Sequence, residues 1–246
     1  MSILLPILLV IIGILGIFYL HTLTARLQFR LLADSRLDGL FKFQLAQVLW
    51  SVLILVGVYL LASQNFVQFF RVGDLQAYAS PIPWLGITGK ESWLQVIAIL
   101  GIFITLGTGA FMFLQVKKSK ATFRLSLTLF CWSLFFSALN AFSEEAIFRM
   151  GVVSPLYGKL ALPWIAVLSG VLFGLPHYFG KPSGVVGVLM AGFLGWLLAL
   201  SLLETRGLFL AWALHFVQDV VIFVSMFGIT APDSATGKPA TTNSNS

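Results

Sequence analysis

The chain has 246 residues, of which 59% are hydrophobic and only 10% charged. A water-soluble domain carries about 25% charged residues, so too few are present here to build a wetted surface, and most of the chain must face lipid or other helices. The net charge of +6 comes from Lys and Arg set between apolar runs, which fits anionic lipid headgroups and excludes nucleic acid as a partner.

Seven apolar runs are long enough to span a bilayer, at 3–20, 43–63, 93–116, 125–142, 162–179, 184–203 and 208–228. At about 20 residues per crossing they predict an all-α, polytopic transmembrane helix bundle of about seven spans. The first run has no basic residue before it and no small-x-small cleavage site after it, so it reads as a retained span and not a secretory signal. The fourth continues as helix past Phe142, since no breaker precedes Gly151. Cys131 is the only cysteine and lies in an apolar run, so it is expected to serve packing. Residues 229–246 are rich in Ser, Thr, Asn and Pro and are expected to be disordered.

Basic residues in the first connection (Arg26, Arg30, Arg36, Lys42) and the third (Lys117, Lys118, Lys120, Arg124) outnumber those in the second, which has Arg71 and Lys90. This bias predicts the N-terminus outside and the tail in the cytoplasm. The second connection, 64–92, also holds Phe66, Phe69, Phe70 and Trp84, a composition suited to the membrane–water boundary. Gly187, Ala191 and Gly195 share one helix face, as do Gly170 and Gly174. This spacing suits close helix contact and is also common among membrane-helix glycines generally.

The residues that carry information are ionisable groups placed in apolar spans: Glu144, Glu145, His177, His215 and Asp219. Each costs about 2.5–3.5 kcal/mol at mid-bilayer unless it finds a partner or a wet cavity. Glu145 and Arg149 are four apart on one helix face, so they can pair and lock the helix. Glu144 points about 100° away and is free for another task. Phe173 stands four residues before His177, so its ring can shape the imidazole's pocket, and His215 with Asp219 repeats the spacing. Pro176 should kink the fifth helix and free the carbonyl of Leu172. Read singly, each feature has a structural explanation; read together, they predict three helices turning polar faces toward one pocket. Because the spans alternate in direction, Glu144 and His177 fall nominally near opposite faces, and they meet only if the fourth span runs past Arg149 or the short 180–184 turn lies deep.

The stretch Ser143-Glu-Glu-Ala-Ile-Phe-Arg-Met150 resembles the E-E-x-x-x-R motif of the CPBP family, the CAAX prenyl and bacteriocin-processing (Abi) membrane proteases. Phe173-Gly-Leu-Pro-His177 resembles its F-x-x-x-H motif, and His215-Phe-Val-Gln-Asp219 its H-x-x-x-N/D motif. The resemblance covers about residues 125–228. It divides the chain into N-terminal helices without motifs (1–124), a catalytic membrane core (125–228) and the polar tail. Two positions depart from the family pattern: Met150 follows the arginine where glycine is frequent, and the third motif ends in Asp219 where the eukaryotic enzymes have Asn.

The resemblance implies an endopeptidase without an acyl-enzyme, in which Glu144 and His177 activate a water and His215 and Asp219 stabilise the oxyanion. Glu145, Arg149 and Phe173 would support the site. The implied substrate is a peptide or membrane-protein segment, prenylated or not. No cofactor is required by this scheme; the rival scheme adds Zn²⁺, for which Glu144, His177 and His215 are a reasonable ligand set. The chain is expected in a bacterial plasma membrane or an organellar membrane, with no nucleic acid partner and an oligomeric state that the sequence does not fix. Two other functions compete: a proton-coupled transporter, which predicts internal pseudo-symmetry not visible between the halves, and a catalytically silent membrane scaffold.

Overall fold

The computed structural model describes residues 4–119, 122–180 and 184–230. Eight α-helical segments are arranged as α1 (Leu4–Ala25), α2 (Ser35–Phe69), α3 (Trp93–Ser119), α4 (Leu127–Glu145), α5 (Gly151–Leu156), α6 (Leu162–Gly174), α7 (Gly184–Thr205) and α8 (Phe209–Gly228). Among the described residues, six helices are long and apolar enough to cross a membrane. Helix α4, expected as a further span, is not among those six; it joins α5 through a π-helical turn at Ala146–Met150, and this run carries the polar residues Asn140, Glu144, Glu145 and Arg149. The all-α polytopic bundle expected from the apolar runs is therefore present, and the protein is an integral membrane protein. Polarity is inverted relative to a soluble fold: Leu53, Leu60, Phe103, Leu106 and Leu189 face outward, while Gln44, Gln47, Ser133, Ser137 and Arg149 are buried. Cys131 is exposed on the exterior of the bundle. Expected to serve packing, it instead faces the lipid side of α4.

Three boundaries differ from expectation. Helix α2 begins well before residue 43, because the Asp34 side chain caps it by accepting from the amides of Arg36 and Leu37. Arg36 and Lys42 thus lie within the helix and not in the first connection. Lys42 is buried: it pairs with Asp38 at 2.9 Å and donates to the carbonyls of Leu27 and Phe29, while Asp38 accepts from the amides of Leu31 and Leu32. A neutralised pair can enter a helix that an isolated charge could not.

At its other end α2 continues to Phe69 across a kink at Ala62, so Phe66 and Phe69 are helical and Phe69 is buried. The shortened second connection is fastened to α7 by Glu204, which accepts from the Ser80 amide and the Trp93 indole, both at 2.8 Å. Its Tyr78 and Trp84 stand exposed, the placement expected of aromatic residues at a membrane–water boundary. Finally, Ile229–Thr230, assigned by composition to the disordered tail, pairs antiparallel with Thr122–Phe123. The rest of that expected tail, 231–246, lies outside the described residues.

Helices α6 and α7 meet through glycine. A Cβ on Gly174 would lie 2.6 Å from the Val188 carbonyl oxygen, and one on Gly170 would lie 2.7 Å from that of Gly192. Gly195 faces Phe173 at 2.9 Å, whereas Gly187 and Ala191 line a cavity. The expected close packing therefore holds, with Gly192 replacing Gly187 in the seam. Gly174→Ala is expected to destabilise the protein by about 1–3 kcal/mol by overpacking. Gly39→Ala, where a Cβ meets nothing within 4 Å, is expected to gain about 0.5–1 kcal/mol from helix propensity. Thermal unfolding in detergent compares the two, and equal midpoints would contradict the close seam.

Candidate active site

The polar cluster is built on four helices. From Leu127 the chain stays helical through the π turn to Leu156, so Glu144 is followed by about 18 Å of further helix at 1.5 Å per residue. One of the two conditions for Glu144 and His177 to meet, a fourth helix that runs past Arg149, is therefore met. The π turn lies next to the carboxylates, a frequent placement for such turns at functional sites. One of its carbonyls, that of Phe148, accepts from the Ser169 hydroxyl of α6 at 2.8 Å.

Glu145 and Arg149 are fully buried and paired, with Arg149 Nη2 2.9 Å from Glu145 Oε1. The pairing follows the i, i+4 expectation, but Glu145 does more than lock its helix. The same oxygen stands 2.8 Å from His215 Nδ1. A carboxylate only accepts, so Nδ1 carries the proton and Nε2 is turned toward the site. Nε2 lies 3.5 Å from Glu144 Oε2 and 3.8 Å from Asp219 Oδ2. His215 is thus oriented by one carboxylate and faces two others.

Phe173 organises the remainder. The Arg149 guanidinium lies 4.1 Å from its ring centroid, and the rings of His177 and His215 lie 4.8 and 5.5 Å away. The cation over the aromatic face partly replaces hydration that Arg149 has lost. His177 Nδ1 is 2.8 Å from the Phe173 carbonyl oxygen, so this imidazole donates there and keeps Nε2 as a free acceptor. Pro176, expected to kink the helix, stands at the change from α6 into the 3-10 turn Leu175–Phe179 that carries His177.

His177, His215 and Asp219 line a cavity of about 120 Å³, together with Phe173, Gln218, and Thr108 and Met112 of α3. The remaining wall comes from α3, α7 and α8, with Ile104, Met190 and Ile222 among its residues. The cluster therefore unites Glu144, Glu145, Arg149, His215 and Asp219 by direct contact, and His177 joins through Phe173 and the shared cavity.

Three residues of the cluster escaped the sequence reading. Asn140 Nδ2 donates to Glu144 Oε1 at 3.2 Å and to Asp219 Oδ2 at 3.0 Å. Its Oδ1 accepts from Gln47 at 3.2 Å and from Gln44 at 3.4 Å. Asn140 precedes Glu144 by four residues in an apolar run, a signal that was available. Gln44 and Gln47 carried only the weaker signal of amides in a span.

Glu144, His177 and His215 offer the atom types of a zinc site, yet among the described residues no three His, Cys, Asp or Glu side chains converge to hold a metal ion. In this arrangement Nδ1 of each imidazole is already committed to the protein.

Residues 126–221 match the family model described as Type II CAAX prenyl endopeptidase Rce1-like. The matched stretch contains all three motifs and every carboxylate and imidazole of the cluster. Comparison with curated proteins and with solved structures gave no match.

Proposed function

We propose, from the premise that residues 126–221 match the Type II CAAX prenyl endopeptidase Rce1-like family, that this chain hydrolyses peptide bonds of membrane-associated substrates by carboxylate-activated water. The observation that carries this reading is the convergence of Glu144 and Asp219 on Nε2 of His215 beside a cavity. Such a set can take a proton from a nucleophile on one side and stabilise negative charge on the other.

In the proposed reaction Glu144, aided by the free Nε2 of His177, removes a proton from water as its oxygen bonds to the scissile carbonyl carbon. The carbonyl becomes an oxyanion, which would be stabilised by a protonated Asp219 and by His215 as an imidazolium, its Nδ1–H held by Glu145 and its second proton on Nε2 facing the site. Collapse breaks the C–N bond, and Glu144 returns its proton to the departing amine. Glu145 fixes the tautomer and direction of His215, and Arg149 balances the charge of Glu145. Apolar side chains of α3 and α7 around the cavity, Met112 and Met190 among them, suit an apolar segment delivered along the membrane. Were a metal ion taken up, Glu144, His177 and His215 would be the residues to hold it, and it would supply polarisation of water or carbonyl; no step above depends on it.

The test is purified protein against a library of membrane peptides, comparing wild type with Glu144→Gln, each with and without a chelator. Cleavage that disappears in Glu144→Gln and persists with chelator is the expected result. Equal cleavage by both proteins would remove Glu144 from the reaction, and loss on chelation with rescue by Zn²⁺ would replace the metal-free scheme.

A further inference from the structure

We propose that Asn140 is a positioning residue that holds Glu144 and Asp219 as two separately directed carboxylates about His215, and that Gln44 and Gln47 of α2 set which way its amide faces. The inference rests on the hydrolytic reading of the site. It extends the working site into α2, a helix that carries no family motif and lies outside the matched residues.

A primary carboxamide has two N–H donors and one oxygen with two lone pairs. Asn140 uses all of them: two bonds to carboxylates from Nδ2 and two bonds from glutamine amides to Oδ1. The reverse orientation would press Oδ1 against two carboxylate oxygens and Nδ2 against two N–H donors. Four contacts therefore agree on one rotamer.

Gln44 and Gln47 are three residues apart on one face of α2 and almost fully buried, so water does not compete for their donors. Through this amide α2, α4 and α8 are tied at the level of the carboxylates. Asn140 itself is not among the cavity-lining residues, so its influence reaches the reaction through Glu144 and Asp219. Two acidic groups that both reach His215 Nε2 would otherwise be free to swing toward it or away from each other. A bridging donor gives each a fixed direction, which is what a base and an oxyanion partner require of their geometry.

The experiment uses the full chain in detergent with a peptide that the wild type cleaves. Asn140→Ala is expected to lower kcat by about 10–10²-fold, the cost of misplacing catalytic groups by an ångström or less, with little change in KM. Asn140→Asp is expected to lose more, since it replaces the donor with a third carboxylate. Gln44→Leu/Gln47→Leu is expected to lower kcat by a smaller factor. Each glutamine also buries an oxygen that has no partner among the described residues, so leucine removes an unmet polar atom with the donor, and this variant should fold even if Asn140→Ala does not. Wild-type kcat in the Asn140 variants, or a change confined to KM, would overturn the assignment.

A second arm needs no activity: thermal midpoints of Asn140→Ala, Asp219→Ala and the double variant. Residues sharing one bond give a double shift smaller than the sum of the single shifts; additive shifts would overturn the bridge. Absence of any Glu144-dependent cleavage would count against the peptidase reading alone, because this cycle still reads the amide's coupling to the carboxylate.

Discussion

Glu145→Ala is expected to cost about 3–5 kcal/mol of stability, because it leaves a buried cation without its anion. Glu144→Ala is expected to cost much less. Arg149 has no exposed surface, and its charge is met by one oxygen of Glu145 at 2.9 Å and by the face of Phe173. Its remaining guanidinium nitrogens find no hydrogen-bond partner among the described residues, so no second carboxylate is in contact with the cation once Glu145 is gone. The same change releases His215 Nδ1.

Glu144 is 18% exposed at its side chain. Its loss leaves Asn140 still bonded to Asp219 and His215 still bonded to Glu145. Thermal unfolding of the two variants in detergent is the measurement, with yield of monodisperse protein as a second readout. Equal midpoints would mean that the Glu145–Arg149 pair contributes nothing beyond what its neighbour does.

That asymmetry between adjacent glutamates shows what the sequence could and could not tell. The i, i+4 spacing gave the pairing of Glu145 with Arg149, since helix geometry alone brings those side chains together. It could not give the bond from Glu145 to His215, which joins residues 70 apart in the chain and depends on how α4 and α8 dock. Gln44 and Gln47 were invisible for the same reason, lying 96 and 93 residues from Asn140. Apolar length identified the spans well, but not the start of α2. There the reading placed charges in loops, and the mutual neutralisation of Asp38 and Lys42 let both into the helix. The site's depth was illegible while the fourth span was measured by hydropathy. Hydropathy ends where Glu144 and Glu145 begin, although the hydrogen-bonded helix continues through Arg149 to Leu156.

His215→Ala is expected to lower kcat/KM by about 10²–10³-fold, the usual cost of removing one oxyanion donor. It should also lower thermal stability by about 1–3 kcal/mol through loss of a hydrogen bond to a buried carboxylate. His177→Ala makes the contrast. It should lose activity, since the free Nε2 is gone from the cavity, yet stay closer to wild type in stability. The only hydrogen bond of His177 among the described residues runs to the Phe173 carbonyl one turn earlier in its own segment. His215 instead links α8 to α4 through Glu145 and stands between Glu144 and Asp219. Its removal leaves two carboxylates with no imidazole between them. Steady-state kinetics and thermal melts on both variants test the pair of expectations together. Should His215→Ala cleave within tenfold of wild type, the oxyanion role fails. Should its melting point also match that of His177→Ala, the link from Glu145 through His215 would not be holding α4 to α8.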